Sequence, residues 1–386
     1  MNQETKNLLF ALLHSAIRGT PLGESEREQC SHRTLSDLLS MAKSHDLQHL
    51  VILALKQNNL LSEQAAMLES SILKAVYRYE QLNYTYDTLC EALESAEIPF
   101  LPLKGSILRA HYPEPWMRTS CDVDVLVQPR DVNRAVAILT EKYGFSKEGC
   151  GSHDVSLFDQ NHMHVELHFD LLEDGLANEA STVLASVWQT ACVREGYRFF
   201  YEMSDEYFYF YHIAHMAKHF ANGGCGIRPF IDLWILDRLE TSDVASRDAL
   251  LVRGGLWKFA EAARALSCAW LEGDSPDVLT GQMETYLLSG GVYGTMDNRV
   301  AVQQTKKGGK VRYALSRIWL PYDTIKFHYP VLQKKRWLLP LMQVRRWGKL
   351  IFCGVLRRSA DELYTTASLS SNHQQSVACL LEHLGI

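Results

Sequence analysis

The sequence contains no Cys-x-x-Cys pair, no internal repeat and no long low-complexity tract. It also lacks any apolar run of about 18 residues, the length a membrane-crossing helix needs. The nine cysteines (Cys30, Cys90, Cys121, Cys150, Cys192, Cys225, Cys268, Cys353 and Cys379) are odd in number and widely scattered. That spacing excludes a zinc ribbon and argues against a secreted disulfide framework, so reduced thiols in a cytoplasmic protein are expected. Leu8–Ile17 is mostly apolar, but His14 interrupts it and only Lys6 precedes it as a basic residue. With no small-residue cleavage site after it, the segment does not read as a secretory leader.

What is present is the composition of a globular protein: 386 residues, 47% of them hydrophobic and 22% charged. This is enough for one large domain or two to three modest ones. The net charge of −6 hides an asymmetry. Gln303–Arg358 holds 14 Lys and Arg against the single acid Asp323, a surplus of +13 that leaves −19 for the remainder. Basic clusters Lys334-Lys335-Arg336, Arg345-Arg346 and Arg357-Arg358 alternate there with Trp319, Trp337 and Trp347. Interleaving of this kind suits nucleic acid, an anionic membrane surface, or packing against the acidic remainder of the chain.

Hydrophobic periodicity divides the chain into a helical region over 1–96, a mixed α/β unit over 97–175, a helical region over 176–290 and a basic, Trp-containing region over 291–386. Helices are predicted at Leu8–Ile17, Leu35–Leu55, within Glu63–Ala96, and at Asp131–Tyr143, Ala180–Gln189, Glu206–Ala221, Phe230–Leu239 and Leu256–Leu271. Strands are predicted near Ile98–Leu103 and at Val123–Val127, Val155–Phe158 and His162–Leu171, with a turn at Asp159-Gln160-Asn161. The Gly-rich stretch from Gly290 to Gly309 reads as a loop.

Asp122 and Asp124 stand two apart in a strand, so they share a face while Val123, Val125 and Val127 point to the other. Adjacent carboxylates repel, and a hard divalent cation such as Mg2+ or Mn2+ relieves that repulsion. In the later strand, His162, His164, Glu166, His168 and Asp170 share one parity, opposite Met163, Val165, Leu167, Phe169 and Leu171. If the two strands adjoin, Glu166 supplies a third oxygen ligand or a general base. The same stripe admits a transition-metal site from His162, His164 and His168, or simply a wet sheet face. Lys104-Gly105-Ser106 opens a helix after a strand, where free N–H groups and a lysine can hold phosphate. His212, His215 and His219 fall on one helix face, either binding a metal, lining an acceptor pocket with Lys218 and Arg228, or packed inside among the Tyr207–Tyr211 aromatics. Asp232 lies four residues after Arg228, the spacing of a local ion pair.

Taken together, Leu103-Lys104-Gly105, Leu108, Tyr112-Pro113, Arg118, Asp122-Val123-Asp124-Val125-Leu126-Val127, Ala135, Leu139, Gly144-Phe145 and Val165-Glu166-Leu167-His168 resemble the uncharacterised bacterial nucleotidyltransferase family of the DNA polymerase beta-like superfamily. The resemblance covers 97–172 and extends more loosely to His212, His215, His219, Arg228 and Asp232-Leu233. It implies an α+β fold in which a small mixed sheet is flanked by N-terminal helices and a mostly helical C-terminal region. It further implies transfer of a nucleoside monophosphate from an NTP, most commonly ATP, to a hydroxyl acceptor. Asp122, Asp124 and Glu166 would hold the metal, and Lys104, Gly105, Ser106 and Arg118 would contact the nucleotide. Beside what the resemblance implies, His164, His168, His215 and His219 are read as lining the acceptor side or backing the residues in direct contact. Asn at either Asp122 or Asp124 is expected to remove transfer while leaving the fold intact. Two departures from the superfamily pattern are a longer gap between Gly105 and Asp122, read as an inserted loop over His111–Ser120, and Glu rather than Asp as the third acid.

Overall fold

The computed structural model describes residues 3–30, 32–61, 68–171, 178–352 and 364–386. Arg357-Arg358, Cys353, and the start of the Glu63–Ala96 pattern lie outside them.

A five-stranded mixed sheet sits in the middle of the chain: β1 Phe100–Pro102, β2 Asp122–Val127, β3 Ser146–Cys150, β4 Asp154–Phe158 and β5 His164–His168. Their order is β1-β2-β5-β4-β3. β2 runs parallel to β5, and every other neighbouring pair is antiparallel. Strand alternation decides what each face does. Val123, Val125, Val127, Val165 and Leu167 point together into a core with Leu82, Leu89 and Leu93 of helix Ser70–Ser95 and with Ala135 and Leu139 of helix Val132–Lys142. The opposite face carries Asp122, Asp124, His164, Glu166 and His168, and looks toward the helical part of the molecule.

The N-terminal helices Gln3–Arg18, His32–Ser44 and Gln48–Gln57 share one core with the helices from Asp205 to Leu288. Phe10 stacks on Trp270 with ring centroids 4.6 Å apart, which ties the first helix to Trp257–Leu271. Leu35–Leu55 reads in the sequence as one pattern but is two helices, broken at Asp46 with φ +57°.

One strand goes unpredicted and two expectations need correction. β3 is a strand despite its polar sequence; it is an exposed edge and shows no apolar alternation to betray it. β5 begins at His164, because His162 sits in the preceding turn with φ +59°. Asp159 organises that turn, its Oδ1 accepting from the backbone N–H of Asn161 and Met163 at 2.8 and 2.7 Å. The stretch from Gly290 to Gly309 is largely helix, Met296–Lys307, capped by Thr295 Oγ1, which accepts from Asn298 N at 3.0 Å. Its buried face mixes Val300, Ala301 and Val302 with Asn298 and Gln304, whose amides donate to the carbonyls of Tyr286 and Thr366. Polar residues in the buried stripe conceal the amphipathic period.

The basic segment forms helices Lys310–Ile318, Tyr322–His328, Val331–Lys334 and Leu339–Phe352 around a small core of its own, Leu320, Ile325, Leu332 and Met342. Among the described residues no helix is long and apolar enough to cross a membrane.

Candidate active site

The pairing of β2 with β5 places Asp122 beside His164 and Asp124 beside Glu166, so acids far apart in sequence share one face. Asp124 is only 3% exposed. An isolated carboxylate buried to that degree would neutralise itself, and two cations prevent this. Lys104 Nζ donates to Asp124 Oδ1 at 2.8 Å, and His168 Nε2 donates to the same oxygen at 2.9 Å. Burial pushes the Asp124 carboxyl up, but Lys104 and His168 outweigh it and hold the group well below the usual carboxylate range. His168 shows the reciprocal effect. Burial works against its proton, yet hydrogen bonds to Asp124 and Glu166 raise its pKa to about 8.

Asp122 has no such partner in direct contact. Burial, reinforced by the Asp124 charge, raises its pKa above the ordinary value. The two aspartates are therefore unlike: Asp124 is neutralised by direct contacts, whereas Asp122 keeps a net repulsion that Lys104 and Arg118 only partly offset.

Glu166 links them. Its Oε2 lies 3.3 Å from His168 Nε2 and 3.9 Å from Lys104 Nζ. Two groups of donor atoms, each within 4.8 Å of one another, include Glu166: Asp122 with His164, and Asp124 with His168. Each offers two carboxylates and one imidazole, a set that suits a divalent cation, Mg2+ or Mn2+ taking the oxygens. The Asp122 group fits best, because the nearby Asp124 charge is already met by Lys104. The alternative site built from His162, His164 and His168 is not assembled. His164 and His168 fall in different groups, His162 lies in a turn, and His164 Nε2 meets Ser156 Oγ at 2.7 Å.

Lys104 adopts φ +43° and ψ −114°, outside the regions comfortable for a residue with a Cβ. Strain of this kind typically costs about 1–3 kcal/mol, and it survives here because the ammonium is anchored on Asp124. Gly105 follows, buried, and a Cβ there would stand 2.9 Å from Arg118 Nη1 and 3.3 Å from Arg109 Nη2. The glycine makes room for two guanidinium groups. Ser106 Oγ is buried without a hydrogen-bond partner among the described residues, and neither Gly105 nor Ser106 lines the cleft.

Arg118 lines the cleft but is held firmly by Asp232, with Nε and Nη2 donating to its two oxygens at 3.3 and 3.0 Å. Tyr112 donates to the same fully buried carboxylate at 2.7 Å. The local Arg228–Asp232 pair suggested by sequence spacing is thus replaced by a pair across 114 residues. Arg228 instead donates to the Thr119 carbonyl and approaches Asp46 Oδ2 at 3.4 Å. Thr119 Oγ1 also donates to Asp46 at 2.7 Å, and Arg78 donates to the Cys121 carbonyl at 2.8 Å. Residues 118–121, just ahead of β2, are therefore tied to the N-terminal helices and to helix Arg228–Leu236 at once.

The cleft between these parts measures about 410 Å³. One wall is the acidic sheet face; the other is helix Asp205–Phe220, contributing Phe208, Tyr211, His212, His215, Lys218 and His219. His212 is the internal member of the histidine face: buried, its Nε2 donating to the Pro229 carbonyl at 2.9 Å, its pKa pushed down to about 4 by burial. His215 and His219 stand with ring centroids 4.4 Å apart. Among the lining residues that escape sequence reasoning are His153 and Tyr293. His153 stacks on His168 with centroids 5.9 Å apart, but lies in a loop without any motif, and Tyr293 lies in the stretch read as a connector.

A family model described as an uncharacterised nucleotidyltransferase matches residues 31–272. No curated protein and no solved structure matches the chain.

Proposed function

We propose a specific reaction for this cleft, starting from the fact that the chain belongs to the uncharacterised nucleotidyltransferase family. Family membership carries nucleotidyl transfer as the general role. The reaction proposed is transfer of a nucleoside monophosphate from an NTP, with ATP as donor, to a hydroxyl acceptor in the cytoplasm. The observation that carries it is the register of Asp124 beside Glu166, with Asp122 on the same face and only partly offset by Lys104 and Arg118.

Asp122 and Glu166, with His164 beside them, would hold Mg2+ or Mn2+, and Asp124 with Glu166 would hold a second ion if Lys104 gives way. When bound, such ions neutralise the triphosphate and the pyrophosphate that leaves. The acceptor oxygen attacks the α-phosphorus, the bond to the bridging oxygen breaks, and pyrophosphate departs with the electron pair. Glu166, more exposed than the nearly sealed Asp124, takes the acceptor's proton. Lys104 adds positive charge beside the phosphates, while Arg118, fixed by Asp232, keeps the wall next to them cationic. His215 and His219 face the acceptor side.

The test is incubation of the full chain with Mg2+ and ATP labelled at the α-phosphate, alone and with hydroxyl-bearing candidates. Release of pyrophosphate with transfer of label is expected, and Asp122→Asn should abolish both. Undiminished turnover in that variant would remove the catalytic assignment.

A second reading concerns the basic segment. Val311, Leu315 and Ile318 form an exposed apolar stripe on one helix, and Trp337 (76% exposed), Leu341 and Val344 form another. Aliphatic side chains beside Lys310, Arg312, Arg345 and Arg346 suit an acyl phase under anionic headgroups better than stacked bases. This face is proposed to bind anionic membrane surfaces. Vesicles containing anionic lipid should sediment the protein and neutral ones should not. Binding of RNA without binding of vesicles would reverse the reading in favour of nucleic acid.

A further inference from the structure

Tyr293 lines the cleft although it lies beyond the residues the family model covers. Its side chain is 71% exposed, unusual for a large ring at the rim of a built site. The backbone beneath it is not loose. Val292 N donates to the Ser44 carbonyl at 3.1 Å and Gly294 N to the Gly291 carbonyl at 3.0 Å. Gly294, at φ +69°, packs so tightly on the turn after helix Asp205–Phe220 that a Cβ would stand 1.9 Å from the Gly223 oxygen and 2.8 Å from the Gly224 nitrogen. Two backbones pack closely there, and the adjacent Tyr293 shares the cleft lining with Cys121, Asp122 and Arg228.

A largely exposed aromatic ring on a firmly held backbone, in the same cleft as an acidic sheet face, is what a planar heterocycle on a phosphate chain requires. Stacking on such a ring is sequence-tolerant, because every base has a π-face. We propose that Tyr293 is the stacking platform for the base of the bound nucleotide. The inference rests on the nucleotidyl-transfer reading and adds a binding residue that the family core does not contain.

Equilibrium binding separates the two claims. Wild-type protein, Tyr293→Phe and Tyr293→Ala are titrated, in the presence of Mg2+, with a non-hydrolysable ATP analogue, its GTP counterpart, and inorganic tripolyphosphate. Tyr293→Ala should weaken both nucleotides by about tenfold while leaving tripolyphosphate affinity unchanged. Tyr293→Phe keeps the ring and should stay within about twofold of wild type. Equal weakening of nucleotide and tripolyphosphate, or no weakening of either, overturns the platform. In the second case tripolyphosphate binding by the wild type leaves the transfer reading standing. A wild type that binds none of the three overturns both.

Discussion

Lys104 Nζ and Asp124 Oδ1, 20 residues apart in sequence, meet at 2.8 Å on the cleft floor, with Asp124 nearly sealed from solvent and Lys104 half-buried. A buried charge left without its partner costs about 3–5 kcal/mol. The two aspartates of β2 must therefore respond differently to the same substitution.

Asp124→Asn strands both Lys104 and His168 and should destabilise the fold by a few kcal/mol, with loss of any transfer activity following in part from unfolding. Asp122→Asn removes a carboxylate that burial and Asp124 already disfavour, and should leave stability equal to wild type or slightly above it. The sequence alone makes no such distinction and expects both variants to keep the fold. Urea unfolding of both proteins without added metal decides it; equal midpoints would contradict the buried-pair argument.

His168 gives the metal-free protein a defined pH response. Its folded pKa of about 8 lies above the ordinary 6.5 because Asp124 and Glu166 accept its hydrogen bonds. The folded state thus binds the proton more tightly than the unfolded chain. The stabilisation is complete below pH 6.5 or so and disappears as pH rises through 8, amounting to about 2 kcal/mol. His168→Gln should flatten this loss between pH 6.5 and 8.5 in EDTA. An identical pH slope in wild type and variant would show that other groups produce it.

Asp232 is fully buried between Arg118 and Tyr112, and joins the loop ahead of β2 to helix Arg228–Leu236. Asp232→Asn leaves the Arg118 guanidinium half-paired, and the expected cost is about 3–5 kcal/mol, read as a shift in denaturant midpoint. Arg228→Ala, which breaks a more exposed contact with Asp46, should cost less than about 1 kcal/mol of ion-pair energy. The opposite ranking would restore the local Arg228–Asp232 pair that the sequence suggests.

That contrast shows where sequence reading stops. Period-2 alternation makes β2 and β5 legible, because one face of each must be apolar to cover helices Ser70–Ser95 and Val132–Lys142. Shared parity also puts Asp122, Asp124, Glu166 and His168 on one side. Nothing in local spacing reveals that Asp232 selects Arg118 over Arg228, since the choice depends on packing between elements 114 residues apart. β3 is missed because an exposed edge strand has no face to bury. Tyr293 is missed because glycines that read as flexibility are in fact contacts between backbones.

Gly294 offers the most direct test of that last point. Glycine in a mobile connector tolerates alanine, and the substitution even stabilises where φ is negative, by narrowing the unfolded ensemble. Here φ is +69° and a Cβ would collide with the backbone of Gly223, which cannot swing aside as a side chain can. Gly294→Ala should therefore part the turn from the end of helix Asp205–Phe220, displacing Tyr293 together with the wall that carries His219. Both a lower melting temperature and weakened nucleotide binding are expected. Gly273→Ala serves as the control: it also has positive φ, at +81°, but meets no atom within 4 Å, so it reports backbone strain without the collision. Equal losses in the two variants would mean that strain alone is at work and that the closely packed backbones contribute nothing specific to the cleft.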